Sequence, residues 1–154
     1  MEKTVVFRPY LPTNKPACLG IFDANCPAFF APNERDEYAD FLLESPSGYE
    51  VCVIHHEVVG AFGLLAGRLN WMLIDPKSQG LGIGSAAMAR VMTLAMSAGH
   101  KAVEIATSHK TAPFFAKFGA VTQEVAQDGW GPGMHRVDMT LPILTANVAF
   151  KPCH

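Results

Sequence analysis

The chain is sparing in the features that mark several protein classes. No apolar run is long enough to span a bilayer, and the start, Met-Glu-Lys-Thr, leads into a short strand-like run in place of an apolar leader. Membrane attachment is therefore not expected. Cys18, Cys26, Cys52 and Cys153 are scattered with no Cys-x-x-Cys pair, so neither a zinc site nor a disulfide framework is indicated. A reducing cytoplasm is the expected compartment. Charged residues make up only 17% and the formal charge is −2, which argues against nucleic acid as an obligatory partner. Internal repeats and low-complexity tracts are also lacking. What remains is 154 residues, 49% of them apolar, enough for one domain with a proper core.

The informative stretch is 69–85, Leu-Asn-Trp-Met-Leu-Ile-Asp-Pro-Lys-Ser-Gln-Gly-Leu-Gly-Ile-Gly-Ser. An apolar strand to Ile74 turns at Asp75-Pro76, and the alternating Gly80, Gly82 and Gly84 lead into a helix reaching about Ala98. Glycines clear the side chains that would block convergent backbone N–H groups, and a helix N-terminus adds unpaired N–H groups and a favourable dipole. Ser85, in the first helical turn, offers a further donor. This pattern reads as a pyrophosphate seat. A P-loop is disfavoured, because no Gly-Lys-Ser/Thr follows. The run 82–87 has the spacing of a dinucleotide fingerprint, with Glu104 downstream, but Asp75 to Gln79 separate it from its strand and only 70 residues follow Gly84.

Hydrophobic periodicity and turn residues outline the rest. Strands are expected at Val5–Arg8 (ended by Pro9), Tyr49–His55, Val58–Ala66, Leu69–Ile74, Ala102–Thr107, Val121–Ala126 and Arg136–Leu141. Helices are expected at Lys15–Asp23, at Glu34–Glu44 with Asn33 as cap, at Gly82–Ala98 and at Ala112–Phe118. A strand, a long helix and another strand imply a right-handed crossover with a parallel pair at the centre. The fold class is α/β: a single mixed sheet, mostly antiparallel, flanked by helices. Asp128 to Gly133 reads as a loop too long for a tight turn. Residues 142–154 read as a peripheral tail, with Val148 and Phe150 able to pack back. The Met-rich helix is first a core element and second a homodimer contact.

Gln79-Gly80-Leu81-Gly82-Ile83-Gly84 resembles the Gln/Arg-x-x-Gly-x-Gly/Ala signature of the GNAT superfamily of N-acetyltransferases, and Ala112 to Ala120 is similar to that family's second segment. The resemblance covers most of 4–141, and implies one N-acetyltransferase-like domain over 1–141. It implies acetyl-CoA with its pyrophosphate over Gln79, Gly80, Leu81, Gly82, Ile83, Gly84 and Ser85. The pantetheine arm would lie where the strand ending at Ile74 parts from 102–107, pairing with backbone of Met72, Leu73 and Ile74. The acceptor, a small-molecule amine or peptide amine, would approach among residues 26–38 and 128–135.

Two positions depart from the family pattern. Phe115 stands where many members carry a tyrosine that protonates the leaving thiolate, and a phenyl ring has no proton to donate. Leu69–Ile74 contains no glutamate to act as base, its polar side chain being Asn70. Ser108 and His109, just past the end of the 102–107 strand, are the catalytic candidates; His109 would move protons near neutral pH, or be a surface residue. Cys26, Phe29, Phe30, Glu34, Asn70 and Trp130 are the acceptor-side candidates. Phe29 and Phe30 would line an apolar pocket or merely pack, and Glu34, with Glu37, would attract an amine or complement a helix N-terminus. No metal site is expected. The preferred reading is direct acetyl transfer to a primary amine; the alternative is a CoA-binding regulatory module with weak or no turnover.

Overall fold

The structure is a computed structural model that describes residues 4–78 and 80–143. Along the chain run β1 (Val6–Pro9), α1 (Lys15–Ala24), α2 (Glu34–Leu43), β2 (Tyr49–Ile54), β3 (Glu57–Leu65), β4 (Arg68–Ile74), α3 (Ile83–Ser97), β5 (Ala102–Ser108), α4 (Ala112–Ala116), β6 (Val121–Gly131) and β7 (Met134–Pro142). The strands form one sheet in the order β1-β2-β3-β4-β5-β7-β6. β4 and β5 run parallel and every other neighbouring pair is antiparallel. The expected mixed sheet with a central parallel pair is what forms.

Strand alternation sends side chains to opposite faces, and each face has its own core. Cys52 and Ile54 of β2 join Ile83, Ala87, Met88, Val91 and Ala95 of α3 and Phe115 of α4. Val51 and Val53 join Cys18, Ile21 and Phe22 of α1 and Tyr38 and Leu42 of α2. Met88 is wholly buried while Met96 is 44% exposed, so the Met-rich helix serves mainly as core.

Three local expectations change. Pro9 continues β1 instead of ending it, which an edge strand tolerates because its outer N–H needs no ladder partner. The expected loop at 128–133 is mostly hairpin: Gly131 pairs with Met134, and a register shift between Ala126 and Gly131 absorbs the extra residues. Asp128 (φ 54) and Gly133 (φ 77) supply the left-handed backbone that this bulged turn requires. Asn33 precedes α2 but makes no side-chain cap; its Nδ2 donates to Trp130 O at 2.8 Å. The N–H of Ala31 is taken instead by Glu34 Oε2 at 2.9 Å. At the carboxyl end, Ile143 is buried and its N–H donates to Lys101 O, while residues 144–154, with Val148 and Phe150, lie outside the described residues.

Candidate active site

β4 and β5 pair only at Arg68–Glu104 and Leu69–Ile105, then separate. The cause lies one strand away. Between Ala61 and Gly63 the β3–β4 register shifts, and Trp71 takes φ 40, the bulged residue that bends β4 off its course. A buried relay pins this bulge: the Tyr49 hydroxyl donates to Trp71 O at 2.6 Å, and shares a 2.8 Å hydrogen bond with the Tyr38 hydroxyl. Burial raises both phenol pKa values well above their ordinary range, so both stay neutral.

Beyond the bulge, Asp75 N–H donates to Val59 O, so by alternation Leu73 also turns its main-chain groups toward β3. Met72 and Ile74 therefore turn theirs into the gap. Of the three residues implied on this strand, these two are presented to it. The Ile74 carbonyl accepts from Asn25 Nδ2 at 3.0 Å, which leaves its N–H and the Met72 groups facing the opening.

The approach to α3 follows the sequence logic closely. Asp75 Oδ1 accepts the Lys77 N–H, and a short 3-10 turn spans Pro76–Ser78. Gly80 (φ 86) and Gly82 (φ 76) then hold left-handed backbone, with no heavy atom within 4 Å of where a Cβ would stand. Gly84 has a different purpose. A Cβ there would lie 2.9 Å from the Phe114 ring, so its lack of side chain lets α4 pack against the head of α3. The first intrahelical bond of α3 is Ala86 N–H to Gly82 O, which leaves the N–H groups of Ile83, Gly84 and Ser85 without intrahelical acceptors. Ile83 sends its side chain into the core, whereas Leu81 and Ser85 are exposed. Gln79 lies outside the described residues.

A cleft of about 180 Å³ opens at the β4–β5 divergence. It brings together Phe29, Phe30, Glu34, Asn70 and Trp130, five of the six acceptor-side candidates, with Met72, Ser108 and Phe115. Cys26 and His109 are not in its lining. Asn70 turns its Nδ2 to Arg68 O. Trp130 is tied down on two sides: its Nε1–H donates to Thr107 O at 2.8 Å, and its carbonyl accepts from Asn33. The Arg136 guanidinium sits 4.9 Å from its ring centre. The β6–β7 hairpin thereby closes one end of the cleft against β5.

Glu34 is 4% exposed. Burial pushes its carboxyl up to about 7; the Ala31 N–H opposes the rise and Glu37 adds to it. Cys26 is also pushed up, first by burial and then by the Asp23 and Glu34 carboxylates, which disfavours a thiolate nucleophile there. Ser108 is buried, and its Oγ accepts N–H bonds from Lys110 and Thr111 at 3.3 Å and lies 3.4 Å from Thr111 Oγ1. His109 is engaged elsewhere: its Nδ1 accepts the His135 N–H at 3.2 Å, and the two rings lie 4.5 Å apart. Trp71, Thr107 and Thr111 also line the cleft and were not anticipated. Trp71 carried no local signal, since a bulge inverts the facing that alternation would assign it.

The GNAT acetyltransferase family model matches residues 18–120, from α1 to the end of the segment after α4, two thirds of the chain. The chain belongs to the GNAT family. A search of curated proteins by sequence matches no relative. Solved structures of the same fold include a GCN5-related N-acetyltransferase from Rhodopseudomonas palustris, 20% identical over 93% of this chain and 98% of that one, with a TM-score of 0.74. Ard1 from Thermoplasma volcanium is 17% identical over 91% and 98%, with a TM-score of 0.75. The ribosomal-protein-S18-alanine N-acetyltransferase from Escherichia coli is 15% identical over 93% and 96%, with a TM-score of 0.72. At such identities the likeness shows the shared fold.

Proposed function

We propose that this GNAT protein transfers an acetyl group from acetyl-CoA to a primary amine by direct attack. The observation that carries the reading is the coincidence, on one side of the sheet's divergence, of two sets of main-chain groups that have no partner among the described residues. The N–H groups of Ile83, Gly84 and Ser85 head α3 behind left-handed Gly80 and Gly82, and Met72 and Ile74 face the gap. Phosphate oxygens suit the first set and the amides of a pantetheine arm suit the second. Acetyl-CoA supplies an activated acyl carbon when bound. The hydroxyls of Ser108 and Thr111 line the cleft with Phe115 and are the groups this reading uses to pass the nitrogen's proton to the leaving thiolate.

Calorimetry with CoA tests the seat. In Gly82→Val the added Cβ has no heavy atom within 4 Å, but a β-branched residue cannot adopt φ 76 without strain, so the loop should be redirected while the core stays intact. CoA affinity should fall more than about tenfold, equivalent to about 1.4 kcal/mol, with the circular dichroism of the fold retained. Unchanged affinity would overturn the seat. A second reading, a CoA-binding module without turnover, draws on Phe115, which is buried in the cleft and has no hydroxyl. Thiol release from acetyl-CoA on adding amines, above the amine-free background, separates the two.

A further inference from the structure

Among the described residues, Glu34 is the one ionisable side chain in the lining of the cleft. The other acidic residues in the first turn of α2, Asp36 and Glu37, are exposed and complement the helix N-terminus from solvent. Glu34 points inward, buried to 4%. Its Oε2 takes the Ala31 N–H, and Oε1 has no protein donor among the described residues. The neighbouring cation, Arg35, is committed to Asp23 at 2.7 Å. A carboxylate so placed is unfavourable unless something cationic meets it. Phe29, Phe30, Trp71 and Trp130 line the same space, with Phe30 stacked on Trp71 at 6.2 Å. Ring faces accept both an apolar body and an ammonium.

From this geometry we infer that Glu34 holds the acceptor's ammonium and takes its proton, and that the acceptor is an alkyl- or arylalkylamine with no carboxylate beside the amine. The inference rests on the transfer reading above and adds the base and the substrate class. A second carboxylate would meet Glu34 and find no cation among the described residues of the lining. The balance is simple. A proton passes from the ammonium to Glu34 Oε1, and the freed nitrogen pair forms the C–N bond at the thioester carbon. The C–S bond breaks with its electrons on sulfur, the nitrogen's second proton neutralises the thiolate, and Glu34 returns its proton to solvent. Burial holds Glu34 near neutrality, within reach of both protonation states at working pH. The titratable groups facing it are the Cys26 thiol from the loop after α1 and Glu37 on its own helix.

The test compares 2-phenylethylamine with phenylalanine, which differ by the carboxylate, on the full chain and on Glu34→Gln. Glutamine keeps an oxygen for the Ala31 N–H, so the fold is preserved. Without acetyl-CoA, 2-phenylethylamine should perturb the fluorescence of Trp71 and Trp130, with affinity at least about tenfold weaker in the variant. With acetyl-CoA, kcat/KM for this amine should exceed that for phenylalanine at least about tenfold and should fall about a hundredfold in Glu34→Gln, which also loses the rising pH limb near 7. Retention of that limb and rate by the variant, equal use of phenylalanine, or no binding of 2-phenylethylamine would each overturn the inference. CoA calorimetry on both proteins reads the donor seat separately. Loss of CoA binding sinks the transfer reading, whereas an intact CoA seat with Glu34-independent amine turnover sinks this inference alone.

Discussion

On the donor side of the divergence, the groups that face the opening are main-chain: N–H groups at the head of α3, and the peptide edges of Met72 and Ile74. On the acceptor side they are side chains brought from four separate places, Phe29 and Phe30, Glu34, Trp71 and Trp130. A site made of backbone needs a permitted φ and a cleared path, which Gly80 and Gly82 provide locally. A site made of side chains needs every contributing element to be docked. The first half should tolerate most side-chain changes around it, and the second should respond to changes far from any ligand.

The largest expected effect concerns the stability stored against function in Glu34. Its carboxyl lies at about 7 in the fold against an ordinary value of 4.5. A carboxyl raised on folding contributes stability that is full below about 4.5 and is lost as pH rises through about 7. At about pH 8 Glu34→Gln should therefore be more stable than the parent, by up to about 3 kcal/mol, and the advantage should vanish near pH 4.5. Urea titrations at both pH values check this. A variant no more stable at the higher pH would mean that the acceptor half carries no strain of this kind.

Next comes the bulge that shapes both halves. Tyr49→Phe removes the donor to Trp71 O and takes from the buried Tyr38 hydroxyl its Tyr49 partner, leaving it the Cys18 thiol. It should lower stability by about 1–3 kcal/mol. It should also weaken amine binding more than CoA binding, because the Trp71 ring belongs to the acceptor wall. Equal losses at both sites would break the distinction drawn between them.

The smallest effect is expected at His109. Its Nδ1 serves the His135 backbone and the ring is absent from the cleft lining, so His109→Gln should change kcat and its pH profile less than about threefold at saturating substrates. A tenfold loss with a displaced profile would instead place a proton carrier there and extend the side-chain half beyond the cleft.

Much of the architecture was readable because its causes are local. Alternation laid out the strands, Gly82 marked where α3 begins, and the spacing of 79–84 pointed to the GNAT family before any geometry was known. The departures were equally local in origin but non-local in resolution. Asn33 looked like a cap until Trp130, almost a hundred residues on, claimed its amide. The 128–133 segment looked like a loop because Gly131–Met134 pairing depends on a register shift that no short-range pattern encodes.

By itself, then, the sequence determined where the chain must turn, which faces are apolar, and where backbone donors converge, since φ preferences and hydrophobic periodicity act within a few residues. Tertiary structure alone decided which way Trp71 faces, that Glu34 is buried in the cleft instead of lying solvated on a helix end, and that Trp130 closes the cleft against Thr107. These depend on docking α2 and the β6–β7 hairpin against parted strands. A carboxylate's desolvation is set by everything around it and by nothing in its neighbours along the chain.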